Sequence, residues 1–152
     1  MFRHILIPTD GSRLSRKGIR AGVRLAKALG AKVTGVYVML PAAPRGADLG
    51  FNDSAIFYAG VSARGWRRTF DKAARKALSV IEAEARAAKV PCTTLIVQYR
   101  QPWKGILAAA HRRKCDAIAI ASHGRGGLGG LLLGSETRQV LARSRIPVLV
   151  AR

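Results

Sequence analysis

Two hydrophobic periods alternate along this chain. Short unbroken apolar runs occur at Arg3 to Pro8, Lys32 to Met39, Cys92 to Tyr99, Ala117 to Ile120 and Arg145 to Ala151. Runs of this length, rich in Val and Ile, are typical of strands covered on both faces. Between them apolar residues recur every three or four positions, the helical spacing. From Arg13 to Leu29 the predicted inner stripe is Leu14, Gly18, Ala21, Gly22, Leu25, Ala26 and Leu29. Arg13, Arg16, Lys17, Arg20, Arg24 and Lys27 fill the opposite face. A long helix from about Ser62 to Lys89 places Phe70, Ala73, Ala74, Ala77, Leu78, Ile81, Ala85 and Ala88 inward. Arg64, Arg67 and Arg68 give its first turn the wrong sign for the helix dipole. A third helix runs from Trp103 to about Lys114, with Ile106, Leu107 and Ala110 inward, and a fourth covers Thr137 to Arg143. The punctuation agrees: Ser12 suits an N-cap, Gly30 a C-cap and Pro102 a first helical position, while Pro91 forces a break.

Strands alternating with helices imply an α/β fold: a parallel sheet with helices on both faces, built as one domain over residues 1–152. No internal repeat or linker interrupts it. Leu40 to Gly60 carries no sustained period and reads as a long irregular connection, a kind usually functional or mobile.

The most unusual stretch is Ala121-Ser122-His123-Gly124-Arg125-Gly126-Gly127, followed by Leu128 to Leu133 and Gly134-Ser135-Glu136-Thr137. It reads as strand, glycine-rich loop and helix start. Glycine allows positive φ and close approach of a ligand to the main chain, and the same freedom is expected at Gly134. Unpaired N–H groups at the helix start favour an anion, phosphate above all. Neither a Walker loop nor a G-x-G-x-x-G turn after the first strand is present.

The spacing from Gly124 across nine residues to Gly134-Ser135 resembles the universal stress protein signature G-x-x-G-x(9)-G-[ST], with Ala121 in place of its first glycine. Ile5-Leu6-Ile7-Pro8-Thr9-Asp10-Gly11-Ser12 and Ile146-Pro147-Val148-Leu149-Val150 extend the likeness over the whole chain. The resemblance implies a doubly wound, Rossmann-like open sheet of five parallel strands in the order 3-2-1-4-5. Ligands of such sheets sit at the strand carboxyl ends where the order reverses, here between strands one and four. It implies an adenine nucleotide, ATP or AMP, with Mg2+ as an optional companion, in a stress-response module acting through unidentified protein partners. The phosphates would lie on Gly124, Gly126 or Gly127, Gly134 and the backbone of Ser135 and Glu136, near Ala121 and Thr137, with Arg125 adding charge. Pro8 and Thr9 lead to Asp10, which suits ribose hydroxyls or magnesium and equally a cap on the first helix. Val38 occupies the family position whose backbone meets adenine, and the 40–60 connection would cover the nucleotide. Glu136 stands where the family often has a small apolar residue, so its carboxylate must point outward or meet a metal. The resemblance also implies a homodimer through strand 146–151, an uncharged edge of the sort that invites pairing. Two alternatives are a nucleotide-free interaction protein of the same fold and a basic protein associated with nucleic acid.

Composition adds further constraints. Hydrophobic residues make up 49% of the 152, too many for disorder. The longest uncharged stretch, Val33 to Pro44, is too short to span a membrane and the start lacks a signal-peptide pattern, so a cytoplasmic location is expected. Cys92 and Cys115 lack metal-ligand spacing and read as small core residues. The balance of 27 Lys and Arg against 8 Asp and Glu gives a formal charge of +19, a field that would attract nucleic acid without sequence preference. His4, His111 and His123 form no triad pattern, so at most slow ATP hydrolysis is expected.

Overall fold

The computed structural model describes residues 1–41, 63–123 and 133–152. Ser62, most of the 40–60 connection and Gly124, Arg125, Gly126 and Gly127 lie outside them. The described elements are β1 (His4–Pro8), α1 (Ser15–Leu29), β2 (Lys32–Met39), α2 (Ala63–Ala87), β3 (Cys92–Gln98), α3 (Pro102–Arg112), β4 (Ala117–Ala121), α4 (Ser135–Arg143) and β5 (Val148–Ala151). The five strands form one parallel sheet in the order β3-β2-β1-β4-β5. β1 and β4 are buried along their whole lengths, which accounts for their continuous apolar character. Alternate residues feed two cores. Ile5, Ile7, Val33 and Tyr37 meet α1 and α2 on one face, and Leu6, Val36, Ile118 and Ile120 meet α3 and α4 on the other.

α1 keeps Gly18, Gly22 and Ala26 of its predicted stripe buried, adds Ser15, Ile19 and Val23, and loses Leu14, which is 40% exposed. The helix is turned so that its two glycines face the sheet, which allows a closer approach than side chains permit. A Cβ at Gly18 would lie 2.5 Å from the Ala121 amide nitrogen. Ile19 and Val23 then fill the space beside that line of contact. The helix proper starts at Ser15, and Ser12 closes the turn before it by accepting the Ser15 N–H at 3.1 Å. Gly30 ends the helix in the left-handed region at φ 64. On α2, Ala74, Ala77, Leu78, Ile81 and Ala85 are buried, but Ala73 faces solvent. β5 begins three residues later than the apolar run suggests, because Ser144 exchanges hydrogen bonds with Ile146 and holds a turn there.

At the amino end of the strands a buried polar chain crosses the sheet. His4 Nε2 shares a hydrogen bond of 2.7 Å with Thr34 Oγ1, which in turn lies 3.2 Å from Thr93 Oγ1. Burial and then the Lys32 charge lower the His4 pKa from 6.5, against an opposing pull from Asp116. Folding therefore disfavours the imidazolium, and the sign follows from linkage. His4's contribution is complete above the unfolded value of 6.5 and is lost as pH falls from there toward the lowered folded value. Asp116 acts in a lower window. Burial would raise its pKa, but the Arg3 and His4 N–H groups it accepts outweigh that and lower it. Urea midpoints measured from about pH 8 to pH 5 should drop on the acid side, and the drop should shrink in His4→Gln. Equal slopes in both proteins would show that His4 is not the cause.

Candidate functional site

β1 and β4 pair in the middle of the sheet, and their connections leave toward opposite faces. At their carboxyl ends this reversal opens a cavity of about 380 Å³. Pro8, Thr9 and Asp10 line it from the end of β1, Val36 to Leu40 from β2, and Ile120, Ala121 and His123 from β4. Gly134, Ser135, Glu136 and Thr137 contribute the start of α4, while Phe70 of α2 and Pro102 and Ile106 of α3 complete the wall. Pro8, Thr9, Asp10, Val38, Ala121, Gly134, Ser135, Glu136 and Thr137, all expected from sequence, thus meet around one space. Gly124, Arg125 and Gly127 lie outside the described residues.

The turn after β1 is held by its own side chains. Thr9 Oγ1 lies 3.0 Å from Ser15 Oγ and accepts the Gly11 N–H at 3.1 Å. Asp10 Oδ1 accepts the Ser12 N–H at 2.9 Å, so this carboxylate shapes the turn into α1. Gly11 has φ 79, a conformation in which other residues are strained. Across the cavity, the Gly134 N–H donates to the Ser122 carbonyl at 2.8 Å, and Thr137 Oγ1 donates to the Ala121 carbonyl at 2.9 Å. These two bonds fix the start of α4 against the end of β4. Gly134 itself has φ −57 and ψ 151, so the expected positive φ does not occur there. Its N–H is already engaged by Ser122, which also removes it as a phosphate donor. The first amides of α4 have no intrahelical partner by geometry, and Gly134 has no side chain to cap them.

Glu136 takes a role not expected from sequence. Its Oε2 accepts the backbone N–H of Trp103 at 2.7 Å. That amide belongs to the first turn of α3, whose N-cap residue Gln101 makes no side-chain capping bond. The carboxylate therefore caps α3 from another helix, where the dipole favours negative charge. Two cations lie over the Trp103 ring beside it, Lys104 Nζ at 5.3 Å and Arg143 Cζ at 4.8 Å from its centroid. His123 shares a hydrogen bond of 3.1 Å with Ser122 Oγ, an anchor for the loop's entry.

Neither thiol is poised for reaction. Burial, with Asp116's charge, pushes Cys115 up to about 11, and burial with Glu82's charge raises Cys92. Among the described residues no group of three or more His, Cys, Asp or Glu could hold a metal. No described helix is long and apolar enough to cross a membrane.

The sequence profile of the universal stress protein family matches residues 1–152. The chain belongs to that family. A universal stress protein of Thermus aquaticus, encoded in the QAH/OAS sulfhydrylase 3' region, is 29% identical over 153 residues, covering all of both chains. Among solved structures, a universal stress protein in complex with cAMP superposes with TM-score 0.66 at 22% identity, over 99% of this chain and 97% of the other. One from Archaeoglobus fulgidus in complex with dAMP gives TM-score 0.61 at 19% identity, over 100% and 98%. These likenesses establish the universal stress protein fold, with its five-stranded parallel sheet.

In this universal stress protein, Ser15, Val36, Tyr37, Met39, Leu40, Phe70, Pro102, Ile106 and Ile120 also line the cavity, beyond the residues expected from sequence. Tyr37, Met39 and Leu40 flank Val38 at the end of β2 and could have been found by extending the carboxyl-end rule. Phe70 and Ile106 had no such signal. Each continues the apolar stripe of its helix, and nothing local separates a core position from a cavity wall.

Proposed function

We propose that this universal stress protein binds an adenine nucleotide at the carboxyl ends of β1 and β4. The observation that carries the reading is the start of α4, without a side-chain cap, opening on that cavity. The wall divides the ligand. Val36, Val38, Met39, Phe70 and Ile106 offer an apolar side to a purine, and the amides of Ser135, Glu136 and Thr137 offer donors to phosphate. The cAMP and dAMP complexes of relatives with this fold support the same ligand class. Any magnesium arrives with the phosphates, and Asp10 on the cavity wall is its candidate protein ligand. The protein acts through partners, with nucleotide occupancy as its signal.

The same reading includes self-association. β5 is an edge strand of four residues, and Leu149 on it is 41% exposed. Pairing two such edges about a two-fold axis would cover that surface. Native mass spectrometry of the purified protein tests both parts. The expected species has twice the chain mass and carries an adduct of nucleotide mass. A monomer alone at micromolar concentration would rule out the edge pairing. A protein free of adduct that takes up no added adenine nucleotide would leave the nucleotide-free interaction reading.

A further inference from the structure

α1 and α2 bury their apolar stripes in the same core, Ile19 and Val23 from one helix and Ala74 and Ile81 from the other. Their outer faces therefore share one side of the molecule, and Arg20 Nε meets Glu84 Oε1 at 3.5 Å across the seam. At about 100° per residue, Lys17, Arg20, Arg24 and Lys27 fall within about 80° of arc on α1. Arg68, Lys72, Lys76 and Arg86 fall within about 80° on α2. All of these side chains are exposed. At a helical rise of about 1.5 Å, the row on α2 spans roughly 27 Å and that on α1 roughly 15 Å. We propose that these two rows are a docking surface for double-stranded DNA, held through its phosphates without reading of sequence. The acids of α2 stand at the edges of this surface. Glu84 sits in the seam with Arg20, and Glu82 turns to β3, where its Oε1 accepts the Thr94 hydroxyl at 2.7 Å. Asp71 lies on the same flank of α2 as Glu82.

Charge complementarity selects the occupant. Duplex DNA carries about one negative charge per 1.7 Å of its axis, about twice the density of one strand, so a straight row of cations meets phosphates along its length. Both helices keep their apolar stripes in the core, so the contact is made by charge. A helix that lies on a lipid surface instead sinks an apolar stripe into it. Ser79 and Ala83, which separate Lys76 from Arg86 on the outer face, are small and exposed, so a rigid rod can lie close against α2. Neither offers a ring for an unstacked base, which suits a duplex rather than a single strand. The rows do not line the cavity, and the surface stands apart from the nucleotide site. The formal +19 of the whole chain steers any polyanion toward the protein, whereas docking places the phosphates on these side chains.

The test is fluorescence anisotropy of a labelled DNA duplex of about 20 base pairs, titrated with the full chain between about 50 and 200 mM salt. With about six cations on phosphates, log affinity should fall against log salt with a slope near −5, equally for two unrelated sequences. Lys17→Gln, Arg24→Gln, Lys72→Gln and Lys76→Gln, combined, remove cations from both rows and leave Arg20 with Glu84. Glutamine keeps the helix propensity of the residues it replaces. At about 0.1 M salt this variant should bind at least about tenfold more weakly, with a slope shallower by roughly 3. Arg112→Gln, Arg113→Gln, Arg138→Gln and Arg145→Gln remove the same charge from exposed positions in and just after α3 and α4. They should change affinity by less than about threefold. Lys17→Gln with Arg24→Gln, and Lys72→Gln with Lys76→Gln, are milder pairs whose folding circular dichroism checks, and each should remove about half of the slope change. Equal losses in the two fourfold variants would show attraction by net charge alone and overturn the docking surface. So would tighter binding of the single strand, a preference for one sequence, or binding of phosphatidylserine vesicles in place of the duplex.

Discussion

Gly18→Ala is expected to destabilise the protein by more than about 3 kcal/mol, although alanine is the better helix former by roughly 1 kcal/mol. The added methyl would lie 2.5 Å from the Ala121 nitrogen and 2.9 Å from the Ile120 carbonyl carbon. Both are backbone atoms of β4, which is paired on one side with β1 and on the other with β5. Relief requires moving the helix or the strand as a unit, and Ala121 belongs to the cavity wall. Gly22→Ala is the informative contrast. Its methyl meets Ile7 Cδ1 at 2.6 Å and Ile7 Cγ1 and Ala119 Cβ at 2.9 Å, side-chain atoms rather than the strand's backbone, so a smaller loss of about 2 kcal/mol is expected. Urea unfolding followed by circular dichroism ranks the two variants. If Gly18→Ala is no worse than Gly22→Ala, the close docking of α1 on β4 is not what holds this face together.

The packing of α1 also shows where the sequence reading stopped. The bounds predicted for β2 are those of the structure, Lys32–Met39, because a strand buried on both faces has no polar interruption to blur its ends. α2 and α3 were equally legible from their periods. For α1 the expected inward residues Gly18, Gly22 and Ala26 are buried, and Leu25 and Leu29 pack at the edge of the core. Leu14 is exposed because it precedes the helix, and Ile19 and Val23 are buried because the close approach at the glycines brings their side of the helix onto the sheet. At the site, the reversal of strand order joined Asp10 to the α4 start without any contact information. The bond from Trp103 N–H to Glu136 spans 33 residues and has no local pattern, so no periodicity or motif could reveal it.

Gly134→Val should weaken adenine nucleotide binding by at least about a hundredfold while leaving the fold intact. At φ −57 and ψ 151 valine meets no backbone strain, and the Gly134 N–H can still reach Ser122. The cost falls on the ligand, because a branched side chain would stand in front of the first amides of α4. Asp10→Asn should weaken binding more modestly, since its side-chain oxygen can still accept the Ser12 N–H. It should also abolish any part of the affinity that depends on magnesium. Cys115→Ala, in the core beneath α3 and outside the cavity wall, is the control and should bind nearly as the unmodified protein does. Calorimetry on the three variants decides the matter. A folded Gly134→Val protein with unaltered affinity would show that phosphate is not bound at the α4 start.

The contact between Glu136 and Trp103 also provides an optical handle on the site. Two cations lie over the indole, its own amide is held by a residue of the cavity wall, and α3 and α4 are in contact there. Indole emission responds to the field of nearby charges, so an anion entering beside Glu136 changes the spectrum without any label. The chain has only one other tryptophan, Trp66. A Trp66→Phe protein would therefore report occupancy of the cavity through a single native fluorophore.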